Sequence, residues 1–146
     1  MPAQFDSFGV RFLYPDNWTI APREPEEGDQ GMTLDIPGGG FMAIESTRAG
    51  AVEELIEGIV RTIAADYEEV EREQIQLPVL PAETAVTDVR FYYLDLLIVS
   101  RIVILPRPQR SEDDEVLMIQ IQAESRDFDK NEPVFAAILK QIADAV

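Results

Sequence analysis

From Val86 to Leu105 the chain runs through Val89, Phe91, Tyr92, Tyr93, Leu94, Leu96, Leu97, Ile98, Val99, Ile102, Val103 and Ile104. Side chains of this kind suit a pleated, half-buried surface. Strands average only about 5–6 residues, so a stretch this long must be broken once. Asp95 is the plausible break, which predicts two strands, Thr87–Leu94 and Leu96–Leu105. Val116–Ser125 supplies their partner: Leu117, Ile119, Ile121 and Ala123 alternate with Met118, Gln120, Gln122 and Glu124. Alternation with a period of two marks a strand with one dry face. An antiparallel meander at the centre of the protein follows. Leu97, Val99, Val103 and Leu105 interleave with Ile98, Ile102 and Ile104, so the central strand is expected to be apolar on both sides, with cover on each.

The remaining elements are placed around that meander. Phe8, Val10, Phe12 and Tyr14 predict a first strand, ended by the turn residues Pro15-Asp16-Asn17. Trp18 reads as a plug at one end of the core. After a polar loop, 21–30, Met32–Ile36 and Phe41–Thr47 form a hairpin around Pro37-Gly38-Gly39-Gly40. Three glycines invite comparison with a phosphate loop, but such a loop should open onto a helix, and a strand follows here. Ala51–Tyr67 is the clearest helix, with Val52, Leu55, Ile56, Ile59, Val60, Ile63 and Tyr67 on one stripe expected to be buried. Glu71–Leu80 alternates weakly, and Pro78 and Pro81 place it at a sheet edge or next to a bulge. A last helix is expected to begin between Asp129 and Pro133, its stripe formed by Phe135, Ile138, Leu139, Ile142 and Val146.

Strands and helices do not alternate one for one. The expected class is therefore α+β: a single domain over 1–146, a mostly antiparallel sheet of about six strands, and helices packed on it in three α/β/α layers. At 146 residues one domain is the natural size.

Charge and composition bound the function. There are 28 acids against 12 bases, a net charge of −16. A field of that sign repels phosphate backbones and anionic membrane surfaces, so neither nucleic acid nor membrane is an expected partner. A protein partner or client stays open, as does a homodimer. Histidine and cysteine are both absent, which removes the Ser-His-Asp triad, thiol nucleophiles and imidazole or thiolate zinc sites. Asp113, Asp114 and Glu115 lack the alternation and central glycine of a calcium loop. No cofactor and no resident metal are expected. The first ten residues have no basic start and no apolar core, and Asp95 and Arg101 interrupt the longest apolar run, so a cytoplasmic protein is the simplest expectation.

One surface stands out for binding. Gln120, Gln122 and Glu124 project opposite Ile119 and Ile121, and Arg101 interrupts an apolar row on the neighbouring strand. Polar groups amid apolar area can line a groove that buries a partner and hydrogen-bonds it. The bland alternative is a solvated sheet flank, or Arg101 paired with Glu124.

The opening segment, Phe12, Tyr14-Pro15 and Trp18, resembles the first strand and turn of the PsbP-like superfamily. That superfamily takes in photosystem extrinsic proteins, Ran-binding Mog proteins, DcrB-type lipoproteins and the acidic chaperones of type VI secretion effectors. The terminal Phe135, Ile138 and Leu139 are similar to its closing helix. The resemblance implies an antiparallel sheet between helices and a non-enzymatic binding or assembly module. Its alternative implication is a dedicated chaperone that holds an apolar client segment on the sheet. A small carboxylate-dependent hydrolase is the third reading, with no pair among the acids marked out for it.

Overall fold

A computed structural model describes residues 2–28, 30–107 and 115–145. The fold is α+β. Among the described residues, nine strands and two α-helices follow in order as β1 Pro2–Ser7, β2 Val10–Pro15, β3 Thr19–Ile20, β4 Gly31–Ile36, β5 Gly40–Arg48, α1 Val52–Asp66, β6 Glu71–Ile75, β7 Ala85–Tyr93, β8 Leu96–Pro106, β9 Glu115–Glu124 and α2 Ser125–Asp144. Seven of the strands form one sheet in the order β3-β4-β5-β9-β8-β7-β6, every pair antiparallel. The sheet thus has seven strands where about six were expected.

Two blocks make up this sheet. The first is β3-β4-β5 and the second is the meander β6-β7-β8-β9, joined where β5 pairs with β9, Ile44 opposite Ile119. The break at Asp95 is real: Tyr93 pairs with Leu96, and Leu94-Asp95 is a two-residue turn. The glycine turn is likewise a hairpin, with Ile36 opposite Gly40. Gly38 and Gly39 there have φ of 100° and 102°, backbone that a side chain disfavours.

Three elements depart from expectation. The first predicted strand is not part of the main sheet. Phe8 and Gly9 have φ of 39° and 80°, the paired positive values of a two-residue hairpin turn, and β1 and β2 pair across them as a separate ribbon. Phe8 therefore belongs to a turn, although it continues the apolar alternation. The edge strand β6 stops at Ile75, well short of Leu80. Finally, α2 begins at Ser125, four residues before the predicted start. The Glu124 side chain accepts from the Arg126 N–H at 3.1 Å and caps it directly off β9, leaving Pro133 inside the helix.

Burial divides into two clusters, and successive residues of β8 alternate between them. Val99, Val103 and Leu105 belong with Leu117, Ile119, Ile121, the aromatic residues of β1–β2, and Phe128, Phe135, Ile138, Leu139 and Ile142 of α2. Trp18 joins this cluster, its ring centroid 5.8 Å from that of Phe135. Ile98, Ile102 and Ile104 belong instead with Val89, Phe91, Met118 and the stripe of α1.

Both edges of the sheet resist pairing with another chain. β3 is two residues long, and β6 exposes Glu71, Arg72, Glu73 and Gln74. Arg72 pairs with Glu57 of α1, and Arg90 of β7 with Glu73.

The junction of the two blocks is tight at Gly40. A Cβ there would lie 2.7 Å from the Gln122 carbonyl oxygen and 3.0 Å from the Ala123 Cβ. Gly40→Ala should therefore destabilise the fold by about 1–3 kcal/mol in urea unfolding. Gly50→Ala, where a Cβ meets open space, should shift stability by less than about 0.5 kcal/mol. Equal effects of the two changes would contradict this packing.

Candidate functional site

The chain leaves the first block at Arg48 and re-enters the sheet at the far edge, β6, so α1 must cross a sheet face to make the connection. It packs on the β7–β8 side of that face. Of its seven-residue apolar stripe only Ile56 and Ile63 are fully buried. Val52, Ile59, Val60 and Tyr67 are half-buried, and Leu55 remains 40% exposed. This differs from the fully buried stripe that the spacing predicts. The reason is geometric: a helix about 10 Å across covers two or three strands at about 4.8 Å each, not seven.

The uncovered strip is a hollow of about 690 Å³ between α1 and the β5–β9 junction. Phe41, Leu55 and Ile59 give it apolar walls, Gln120 and Gln122 line it from β9, and Glu54 and Arg61 stand among its lining residues. Its size lies within the range of about 300–1,000 Å³ typical of ligand pockets. Gln120 Nε2 donates to the Ser100 Oγ at 2.9 Å, which fixes its amide against a fully buried hydroxyl. Gln122 makes no side-chain hydrogen bond among the described residues, and its amide is free to serve a partner.

Gln122 also lines a second hollow of about 340 Å³, which reaches the turn at Gly38-Gly39 and the side chains of Tyr67, Phe91, Tyr93 and Leu96. The two hollows share Gln122 in their walls. Tyr67 stacks 4.7 Å from Phe91 and meets Tyr93 edge-on at 6.0 Å, closing the far wall with aromatic rings. Glu124 lines this second hollow while its carboxylate caps α2.

Of the four residues singled out from the sequence, Gln120, Gln122 and Glu124 do share one face and line one or both of these hollows. Arg101 does not. It pairs in register with Ile121, and so belongs to the opposite face. There its Nε and Nη2 donate to the two Asp88 carboxylate oxygens at 2.8 and 3.0 Å, and its Nη1 to Glu132 of α2 at 3.3 Å. The guanidinium carbon lies 4.8 Å above the Phe128 ring. Burial pulls the Arg101 pKa down, but the bonds and charge of Asp88, and then of Glu132, outweigh it and leave the pKa above its ordinary value. The side chain stays cationic and ties β7 and β8 to α2. Its partners are Asp88 and Glu132, not Glu124.

What sequence reasoning missed are the apolar walls of the groove: Leu55 and Ile59 from α1, and Phe41 from β5. Phe41 alternating with Ala43 opposite the buried Met42 and Ile44 was the available signal, since it puts apolar side chains on a face otherwise carrying Thr33, Asp35 and Glu45.

No group of three or more carboxylates among the described residues is placed to hold a metal ion. Of the acidic run considered as a calcium loop, Asp113 and Asp114 lie outside the described residues, and Glu115 accepts from Arg107 at 2.9 Å. Among the described residues, no helix is long and apolar enough to cross a membrane. No family model matches the chain, and a comparison with curated proteins finds no relative.

The Arg101 geometry carries a direct consequence. Arg101→Met should cost about 3–5 kcal/mol in urea unfolding, because it leaves Asp88 charged, buried and without its bidentate partner. Adding Asp88→Leu should recover much of that loss. A penalty below about 1 kcal/mol for Arg101→Met would mean that the pair behaves as an exposed one.

Proposed function

We propose that this protein is a non-enzymatic binding or assembly module of the PsbP-like kind, with its sheet sandwiched as the middle of three α/β/α layers. Its working surface is the groove between α1 and the β5–β9 junction. The observation that carries this reading is the half-exposed stripe of α1: apolar side chains that a closed core would bury face a hollow instead. The floor adds Gln120 and Gln122, polar groups that can bond a partner's backbone while Phe41, Leu55 and Ile59 bury its side chains.

The partner is a protein segment, not nucleic acid or an anionic membrane, since a net charge of −16 repels both. With both sheet edges short or charged, the segment binds on the face and does not extend the sheet. Catalysis is not the role we assign. The groove is lined by Glu54, Arg61 and two amides, with no histidine or cysteine in the chain to act as nucleophile or base.

A second reading is favoured by the same walls. A long apolar groove that stays open in the free protein suits a dedicated chaperone that shields an apolar client segment, in the cytoplasm, before it is delivered. Both readings need the same contact.

A neutral, mostly apolar peptide labelled with fluorescein tests it by anisotropy. The wild-type protein should bind such a peptide, and Leu55→Glu, a change at a side chain already exposed, should weaken binding at least about tenfold. Its urea midpoint should stay close to that of the wild type. Binding that ignores Leu55→Glu, or no binding at all, would remove the groove from the account.

A further inference from the structure

Four of the large hydrophobic residues that stay exposed in this protein fall within five consecutive positions: Tyr92, Tyr93, Leu94 and Leu96. They form the tip of the β7–β8 hairpin. Tyr93 and Leu96 face the α1 side and Tyr92 the other, so the tip is apolar on both flanks. Leu94 stands at its apex, 80% exposed.

The backbone makes this arrangement costly. Leu94 has φ of 57°, a left-handed conformation that a leucine disfavours and that glycine or asparagine would adopt without strain. A two-residue hairpin turn normally carries Asn-Gly or a similar pair. Here the turn is Leu-Asp, so neither solubility nor folding accounts for the residue chosen. An exposed apolar side chain held on a strained backbone points to something that it touches.

The surroundings say what that is. Asp66, Glu68, Glu69 and Asp95 stand with Tyr92, Tyr93 and Leu94 around a cleft of about 660 Å³ at the base of the tip. Among the described residues none of these four carboxylates is paired with an arginine or lysine, whereas Glu57 of α1 and Glu73 of β6 are paired. An apolar tip flanked by unpaired negative charge complements an apolar surface flanked by positive charge. A second copy of this chain would bring the same acids against themselves, and an anionic bilayer would repel them.

We propose that the β7–β8 tip is a docking surface for a basic amphipathic helix of a partner protein. Leu94 and the flanking tyrosines bury against the helix's apolar face. Its lysines or arginines reach Asp66, Glu68, Glu69 and Asp95, with the tyrosine rings available to stack on the cations.

Leu94→Gly separates docking from folding, because it removes the anchor and relieves the strain together. The probe is an amphipathic peptide of about 14 residues, leucines on one face and lysines on the other, with a glutamate version as control. The wild-type protein should bind the lysine peptide and not the glutamate one. Leu94→Gly should weaken that binding at least about tenfold while raising the urea midpoint. Tyr92→Ser should weaken it as well, and binding of the neutral groove peptide should be unchanged in both variants. Unchanged lysine-peptide affinity in Leu94→Gly would overturn the proposal, as would equal binding of the glutamate peptide. So would a wild-type dimer in sedimentation that Leu94→Gly turns into a monomer, since the tip would then serve a second copy. Loss of groove-peptide binding in Leu55→Glu alone bears on the groove and leaves the tip standing.

Discussion

The structure depends on β8 being apolar on both sides. A strand of that kind has no face to give to water, so each side of the sheet around it must be covered by something. Val99, Val103 and Leu105 belong to the larger cluster, with α2 and the aromatic residues of the β1–β2 ribbon. Ile98, Ile102 and Ile104 belong to the smaller one, with α1. Seven strands span about 29 Å, nearly three helix diameters. One helix cannot cover that width.

The route of the chain decides where the gap falls. Because α1 links β5 to β6, at opposite ends of a five-strand run, it leaves the sheet beside the first block and comes to rest over the second. The polar side chains Thr33, Asp35 and Glu45 show that most of the uncovered face is built for water. The strip nearest α1 is not. Phe41, Leu55 and Ile59 there meet Gln120 and Gln122, the mixture of wet and dry groups found where a protein surface receives another chain. Arg101, which interrupts an apolar row in the sequence, works elsewhere. With Asp88 and Glu132 it pins α2 to the covered face.

Much of the architecture was legible in the residues. The meander, its break at Asp95, the glycine hairpin, the helix after it and the edge position of β6 all follow from periodicity and turn chemistry, which act locally. The departures share a cause as well: a neighbouring residue overrides a local pattern. Phe8 keeps the apolar alternation but sits in a turn made with Gly9. Pro133 looks like a first-turn proline, yet the Glu124 side chain caps α2 directly off β9 and carries the proline into the helix interior. The site was half legible. Alternation along β9 put Gln120, Gln122 and Glu124 on one face, but strand register, which no single strand encodes, sent Arg101 to the other. Nor does an apolar stripe reveal how much of itself will be buried; that depends on the width of what it lies on.

Amide hydrogen exchange on the purified protein, with and without a neutral apolar peptide, tests the central claim most directly. Added protection should appear in β5 around Phe41–Ala43, in β9 around Gln120–Gln122, and along α1, with β1–β2 and α2 unchanged. Protection confined to the α2 side, or an exchange map that the peptide leaves unaltered, would contradict the proposal that the strip which α1 leaves bare receives a partner.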